Sequence, residues 1–271
     1  MNKLKMGLLF LVLLFLVIAN NDYAFSQKKA KPKKEPAKPK VEEVKEVLPV
    51  TKESFLIINR FVSDPDLRTY LVVTDAEGVG VKIRIQIYDE DGRLKYDKYE
   101  VLNPFGKINI DPSLCVNNEK MTGSIRVFSE EGKIVGQYWQ FYKKLEQGYK
   151  NTAIAAADGK GFTKILCQHF VSDPAIETYI VVSNVEKDKP AVVNIKYYDN
   201  NGAIISIQRK VIQPNGCITA EPYKDTNVKT TGVAVVDSEM GIKITGEYWQ
   251  CAPSENYQVA LPMEGITRYR Q

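Results

Sequence analysis

The chain has 271 residues, a hydrophobic fraction of 44% and a formal net charge of +4. Residues 27–50 hold eight lysines against four glutamates, and residues 1–26 carry +1, so residues 51–271 are left with about −1. A folded part without a basic surplus argues against nucleic acid as the partner.

The N-terminus has the three parts of a secretory signal peptide. Two lysines precede an apolar stretch from Met6 to Ala19, and Ala24-Phe25-Ser26 places small residues at the two positions that signal peptidase reads. We therefore predict a signal peptide over residues 1–26 and export to the periplasm, the cell surface or the extracellular medium. The apolar stretch is shorter than the roughly 20 residues of a membrane-spanning helix, but an uncleaved segment would leave the protein membrane-anchored.

Residues 27–50 are dominated by Lys, Pro, Glu and Ala. This composition cannot build a core and predicts a disordered linker, whose prolines favour an extended polyproline II conformation of about 3.1 Å per residue. Two roles remain open for the linker. It is either a solvated spacer or a lysine-rich arm that contacts an anionic surface, such as wall polymer or lipid headgroups.

The remainder of the chain is an internal duplication. Residues 61–65 and 170–174 both read Phe-Val-Ser-Asp-Pro, and Tyr-Trp-Gln occurs at 138–140 and again at 248–250. The offset is 109 at the first pair and 110 at the second, so the copies differ only by small insertions and deletions. A copy of roughly 105 residues has the size of one domain, which favours two successive domains over a solenoid.

Both copies alternate apolar and polar residues, which is the period of a strand with one buried face. The alternation is clearest at residues 81–87 and 191–197, and each run is followed by an Asp-x-x-Gly turn and another β-rich run. Short strands with turn residues about every ten positions predict an all-β protein of two tandem antiparallel β-sandwich domains. The two β-sandwich repeats are predicted over residues 52–158 and 161–265.

A further set of features occurs in a fixed order in each copy. It comprises a Thr-Tyr-led strand, an Ile-Tyr-Asp or Tyr-Tyr-Asp hairpin and a Pro-x-Gly turn, followed in the first copy by the segment 132–140 and the small-residue strand 151–156. This order resembles the β-sandwich of the sensory rhodopsin transducer family and related repeats of exported bacterial envelope proteins. The transducer family consists of single cytoplasmic domains that form small oligomers and are suggested to bind sugars. The resemblance therefore implies a sandwich fold and ligand binding, whereas export and duplication remove the photosensory role.

The four cysteines allow three disulfide connectivities. Three of them belong to the second copy, and none has a cysteine at the equivalent position of the other copy, so the shared fold does not depend on a disulfide. An added disulfide between Cys167 and Cys251 and a set of free thiols both remain open. The paired short spacings of a zinc site are absent, so no metal is predicted.

No group of residues predicts catalysis. His169 is the only histidine and lacks partners at a recognisable spacing. Residues 89–91 are acidic but lack the later carboxylates of a calcium loop, and a hairpin turn explains them better. We therefore predict that the protein is not an enzyme and has no cofactor.

Strand phase predicts an outward aromatic face. The apolar phase of residues 242–249 includes Tyr248, which places Glu247 and Trp249 on the opposite face, and residues 134–139 repeat the pattern. Aromatic rings stack on the C–H surfaces of sugars, while amides and carboxylates bind the hydroxyls. A bulge or a covering segment would instead bury the rings. The candidate ligand contacts are Trp139, Trp249, Gln137, Glu247, Tyr88 and Tyr198.

Two function classes remain. In the first, the protein is a non-catalytic cell-envelope component whose tandem sandwiches bind other envelope proteins or self-associate. In the second, the sandwiches are a pair of carbohydrate-binding modules that use Trp139 and Trp249 on wall or surface polysaccharide. Polysaccharide titration tests the second class, and deletion of residues 27–50 tests wall retention and self-association in the first.

Overall fold

A computed structural model describes residues 54–144, 148–252 and 257–266. In these ranges the chain is nearly all β and its paired strands run antiparallel, which confirms the predicted fold class. None of the helical segments there has the length and hydropathy needed to cross a membrane. The predicted signal peptide (1–26) and linker (27–50) lie outside the described residues. The short helical segments are α1 (Pro112–Cys115), α2 (Pro222–Thr226) and a 3-10 turn (Glu239–Gly241).

The first copy contains nine strands within the described ranges. They form a layer ordered β4-β3-β6-β1-β9 and a layer ordered β5-β2-β7-β8, linked by one β1–β2 pair between Ser63 and Arg68. The strands are β1 (Ser54–Ser63), β2 (Leu67–Asp75), β3 (Val81–Asp89), β4 (Leu94–Leu102), β5 (Lys107–Ile110), β6 (Met121–Ser129), β7 (Ile134–Lys144), β8 (Gly148–Ala155) and β9 (Ala157–Asp158).

The second copy has the same strand order. One sheet is ordered β13-β12-β15-β10-β18 and the other β14-β11-β16-β17, so the sequence duplication is a duplication of topology. The strands are β10 (Lys164–Ser172), β11 (Glu177–Asn184), β12 (Ala191–Asp199), β13 (Ile204–Ile212), β14 (Cys217–Ala220), β15 (Thr230–Ser238), β16 (Ile244–Ala252), β17 (Tyr257–Pro262) and β18 (Glu264–Gly265).

A β-bulge interrupts the equivalent strand of each copy. The pairing register shifts around Asn59–Arg60 in β1 and around Gln168–His169 in β10. The side-chain amide of Gln140 donates to the carbonyl oxygen of the first bulge, and that of Gln250 donates to the second, each across 3.2 Å. The glutamine of the repeated Tyr-Trp-Gln segment therefore satisfies a backbone group that the bulge removes from the β-ladder.

The Asp-x-x-Gly segments form the predicted hairpin turns. Asp89 accepts from the backbone N–H of Arg93, and Asp199 accepts from the N–H of Ala203. Gly92 has a φ of 79°, a left-handed conformation in which a side chain is strained. Asp89 and Asp199 thus act in the turns themselves.

The two hydrophobic cores differ in what they are made of. Among the described residues, the buried ones that form the second core all belong to the second copy, including Ile165, Ile195 and Tyr248. The first core contains first-copy residues together with second-copy residues, namely Val181, Trp249 and Ala260. The second copy therefore completes the core of the first, while the reverse does not hold.

Candidate functional site

The candidate site lies on the outer side of the four-stranded sheet, which we call the four-strand face. It is the side of β5-β2-β7-β8, or of β14-β11-β16-β17, that points away from the core of its own sandwich. Tyr70 pairs with Trp139 across β2 and β7, and Tyr179 pairs with Trp249 across β11 and β16. The two copies thus carry the same aromatic pair at the same place.

The strand phase of Trp249 is as predicted, but its exposure is not. Tyr248 packs in the second core, and Trp249 on the opposite side of β16 packs in the first core instead. Trp249 and Glu247 are each only 1% exposed, because the first copy covers the four-strand face of the second. The prediction of Trp249 and Glu247 as surface ligand contacts is therefore wrong for this chain.

Glu247 is the centre of a buried polar cluster between the copies. Its carboxylate accepts from the Trp249 indole N–H across 2.6 Å, from the Tyr138 hydroxyl, and from the Asn59 amide across 3.4 Å. Burial raises the pKa of Tyr138 well above its usual value, so the hydroxyl remains a donor. A buried carboxylate needs such donors because its charge has lost the solvation of water.

Glu247 is also expected to make stability pH-dependent. Burial raises the pKa of the Glu247 carboxyl, although hydrogen bonds from Tyr138 and Trp249 and the nearby charge of Arg60 act in the other direction. The folded state then holds this proton more tightly than the unfolded chain does. The protonated Glu247 therefore adds to the free energy of unfolding at pH values below the ordinary carboxyl pKa. This contribution is lost as the pH rises through the raised pKa that Glu247 has in the folded state.

We therefore expect the Glu247→Gln variant to gain stability relative to the wild type as pH rises from about 4 to neutral. Urea unfolding of both proteins at a series of pH values measures the difference, and the subtraction removes the contributions of the other carboxyls. Curves that stay parallel would show that Glu247 has the same pKa in the folded and unfolded states.

Arg126 makes a second contact between the copies. Its guanidinium donates to the carbonyl oxygens of Val185, across 2.8 Å, and Asn184. The side chain is 1% exposed, and burial lowers its pKa to about 10, which leaves it charged at neutral pH. Ser124 adds a bond from its hydroxyl to the carbonyl oxygen of Asn215 across 2.8 Å. The outer side of the five-stranded layer of the first copy therefore contacts the end of β11 and the loops that follow β11 and β13 in the second.

Tyr88 is covered by the same contact. It is 8% exposed, its hydroxyl donates to Gln86 across 2.9 Å, and Arg126 lies over its ring at 5.7 Å. The prediction of Tyr88 as a surface contact is corrected by this burial. The equivalent Tyr198 is half-buried. Because Tyr88 and Tyr198 lie on β3 and β12, they belong to the five-stranded layers and not to the sheets that carry the tryptophans.

The four-strand face of the first copy is open. Tyr70 is 37% exposed, Trp139 is half-buried and Gln137 is exposed. Tyr70 packs edge-to-face on Phe141 with 5.3 Å between ring centroids. The cleft measures about 1010 Å³. Its lining residues are Pro65, Asp66, Arg68, Tyr70, Leu71, Val72, Lys107, Asn109, Trp139 and Phe141.

Of the six predicted contacts, Trp139 and Gln137 thus lie together at a surface. Sequence reasoning missed the partners of Trp139, chiefly Tyr70 and Phe141. The sequence did contain a sign of Tyr70, because Thr-Tyr recurs at 69–70 and 178–179. The threonine of this pair points inward, where Thr69 accepts from a backbone N–H of the bulged strand across 2.9 Å. Its neighbour Tyr70 must then point outward.

The cysteines are free thiols. Cys167 is fully buried in the second core, whereas Cys251 has the strand phase of Trp249 and lies on the outer side of β16. Since successive side chains of a strand point to opposite faces, these two sulfurs face different environments, and the Cys167–Cys251 disulfide is not formed. Within the described ranges, no group of three or more His, Cys, Asp or Glu side chains is arranged to hold a metal ion.

Comparisons with known proteins add little. No protein-family model matches the chain, and no curated protein matches it in sequence. The similar solved structures cover 79% of this chain, which spans about a quarter of their own length. They include a Bacteroides uniformis β-glucuronidase (10% identity, 26% of that chain, TM-score 0.17), a glycosyl hydrolase family 2 member from Bacteroides cellulosilyticus (9%, 28%, 0.16) and a further family 2 β-glucuronidase (9%, 23%, 0.16). Similarity at this level says nothing about activity.

Proposed function

We propose that the protein is a non-catalytic component of the cell envelope that binds protein through the four-strand face of its first copy. One observation carries this proposal. The same face on the second copy, with the same Tyr-Trp pair, is buried against protein in this chain. A surface of that composition is therefore suited to a protein contact, and its duplicate on the first copy is left open.

The residues of the open face also favour a protein partner. Tyr, Trp and Arg are the side chains enriched at the centre of protein interfaces, where they anchor in desolvated pockets. Tyr70, Trp139 and Arg68 line one cleft, and Phe141 extends its apolar part. Lys107 and Asp66, which are both exposed, add charged groups to the same cleft.

The envelope location is proposed from the N-terminal sequence. A signal peptide over residues 1–26 would export the chain, and the lysine- and proline-rich residues 27–50 would hold the sandwiches away from a membrane or wall surface. The resemblance to the sensory rhodopsin transducer sandwich stays a prediction.

Carbohydrate binding is the second candidate, now at one site instead of two. Trp139 shares its cleft with Asn109 and Arg68, so a ring and hydrogen-bonding groups face the same space. The burial of Trp249 removes the second module from this hypothesis. Tryptophan fluorescence titration with wall polysaccharides, in the wild type and in Trp139→Ala, tests it. A lack of any spectral change in the wild type would contradict this function.

Site-specific photocrosslinking tests the protein-binding proposal. A photoreactive phenylalanine analogue at Tyr70, which is 37% exposed on the open face, is expected to give covalent adducts with protein in the producing cells. Trp139→Ala in the same chain should weaken these adducts, because the ring supplies much of the apolar contact area. The matched control places the analogue at Leu114, which is 63% exposed on α1.

Adducts at Tyr70 that exceed those at Leu114 and depend on Trp139 would support the proposal. Equal labelling at the two positions, or no protein adduct at Tyr70, would contradict it.

A further inference from the structure

The two copies contact each other through unlike surfaces. The outer side of the five-stranded layer, which we call the five-strand face, belongs to β4-β3-β6-β1 in the first copy and β13-β12-β15-β10 in the second. In the chain, the five-strand face of the first copy packs on the four-strand face of the second, through Asn59 to Glu247 and Ser183, and on the loops beside that face. This leaves one face of each kind free, at opposite ends of the pair.

We propose that the partner of the open four-strand face is a second copy of this chain, which offers the free five-strand face of its own second sandwich. The contact repeats between chains the one already made within the chain. A contact between unlike faces lets successive chains assemble head to tail, into a ring if the rotation between neighbours closes and into an open series if it does not. This inference rests on the proposed function and names its partner.

The four-strand faces of the two copies match at the positions that make the internal contact. Tyr179 and Trp249 on the covered face correspond to Tyr70 and Trp139 on the free face, and Val181 corresponds to Val72. Val72 and Trp139 are half-buried and Tyr70 is 37% exposed, so these groups are free to be covered.

The free five-strand face has the matching groups in accessible positions. The bulge of the first copy is largely covered, with Asn59 3% exposed, whereas its counterpart Gln168–His169 is exposed. Tyr198 and Val235, the counterparts of the buried Tyr88 and Arg126, are both half-buried. The second bulge therefore has no cover like that of the first.

The proposed contact between chains differs from the internal contact at a pair of facing positions, and both positions of the pair change in the same direction. Within the chain, Ser124 bonds to the carbonyl of Asn215. On the free faces these positions are Val233 and Phe105, both apolar, and Phe105 is 73% exposed. The polar pair that meets within the chain is thus replaced on the free faces by an apolar pair, as expected if that apolar pair meets between chains.

The charges change in the same coordinated way. The internal contact buries the carboxylate of Glu247 and the guanidinium of Arg126. Their counterparts on the free faces are Gln137 and Val235, so the proposed contact carries no charge at these two positions. The free five-strand face instead carries Lys164 and Lys196, which both pair with Asp237. Avoiding the desolvation costs that Glu247 and Arg126 carry matters for a contact that forms between separate molecules and also has to offset the entropy of association.

The test uses the full chain and two blocking variants in sedimentation velocity, over about a hundredfold range of concentration reaching hundreds of micromolar. Trp139→Arg blocks the four-strand face, and Val233→Arg, at the position argued to meet Phe105, blocks the five-strand face. Each places a charge where the proposed contact is dry. Val101→Arg, at a 73% exposed position on the edge strand β4, is the matched control.

We expect the wild type and Val101→Arg to grow in mass with concentration, and each blocked variant to remain a monomer. An equimolar mixture of the two blocked variants should form a heterodimer and nothing larger, since each supplies the face that the other has lost. Thermal melts check that the variants are folded, and Gln137→Arg, at an exposed position, replaces Trp139→Arg if that variant is not.

A wild type that stays monomeric throughout, or blocked variants that do not pair when mixed, would overturn the inference. If the wild type is monomeric but Tyr70 crosslinks to a different protein, the inference fails while the proposed function stands. If neither self-association nor a protein adduct at Tyr70 is found, both fail.

Discussion

Replacing Trp249 with alanine is expected to cost about 3–5 kcal/mol of unfolding free energy, the range for emptying a large aromatic site in a core. The side chain is 1% exposed, packs in the first core and donates its indole N–H to Glu247. For a folded unit of this size the loss corresponds to a fall in melting temperature of about 6–20 °C. Thermal melts of the full chain measure it.

Trp139→Ala is the matched control for this prediction. Trp139 occupies the equivalent position but is half-buried on an open face, so its removal should cost about 1 kcal/mol. The expected result is therefore an asymmetry between two tryptophans in the same repeated Tyr-Trp-Gln segment. Equal destabilisation by the two substitutions would contradict the assignment of one buried and one open face.

Separation of the copies is expected to affect them unequally. Residues 161–271 should fold alone as a β-sandwich, because the described residues of the second core all belong to the second copy. Residues 52–160 should be markedly less stable than in the full chain, because they lose Val181, Trp249 and Ala260 from their core. At about 1.5–3 kcal/mol for each large apolar side chain, the loss is a substantial part of the stability of one domain.

Circular dichroism and thermal melts of the two fragments measure this difference, and mixing the fragments should restore stability to the first. A random-coil spectrum of residues 161–271 would refute the prediction for the second copy. A first fragment as stable as the full chain would show that its core does not depend on the second copy.

The strands themselves could be predicted closely. The strict alternation of residues 81–87 sets the phase of β3, and the Asp-x-x-Gly turn after it needs Gly92 at a φ of 79°. The inward side of β3 is buried as this phase requires, from Val81 to Ile87. These features are local, because period and turn geometry depend on residues close together in the chain.

The burial of Trp249 could not be predicted in the same way. Its strand phase places it away from the second core, and this is correct, but the surface that covers it comes from Asn59 and Tyr138. The strand phase does not distinguish Trp249 from Trp139, since both lie in a Tyr-Trp-Gln segment on equivalent strands, β16 and β7. Which duplicate face is covered depends on contacts between residues 109 and 188 positions apart in sequence.

The cysteine pairing is a different case, because the strand phase of the two cysteines already argues against a disulfide between them. Cys251 follows Trp249 by two residues, so alternation alone places its sulfur on the outer side of β16. Cys167 precedes the bulge and packs inward. Applying the strand phase to both residues would have excluded the disulfide without a structure.

Acrylamide quenching of the two tryptophans in separate single-tryptophan variants tests the central claim most directly, since the chain has only two. In Trp139→Phe the remaining Trp249 should emit at short wavelength and resist quenching, because it is sealed between the copies. In Trp249→Phe the remaining Trp139 should emit at longer wavelength and be quenched several-fold more strongly. Equal quenching of the two, or stronger quenching of Trp249, would contradict the account of one covered and one open four-strand face.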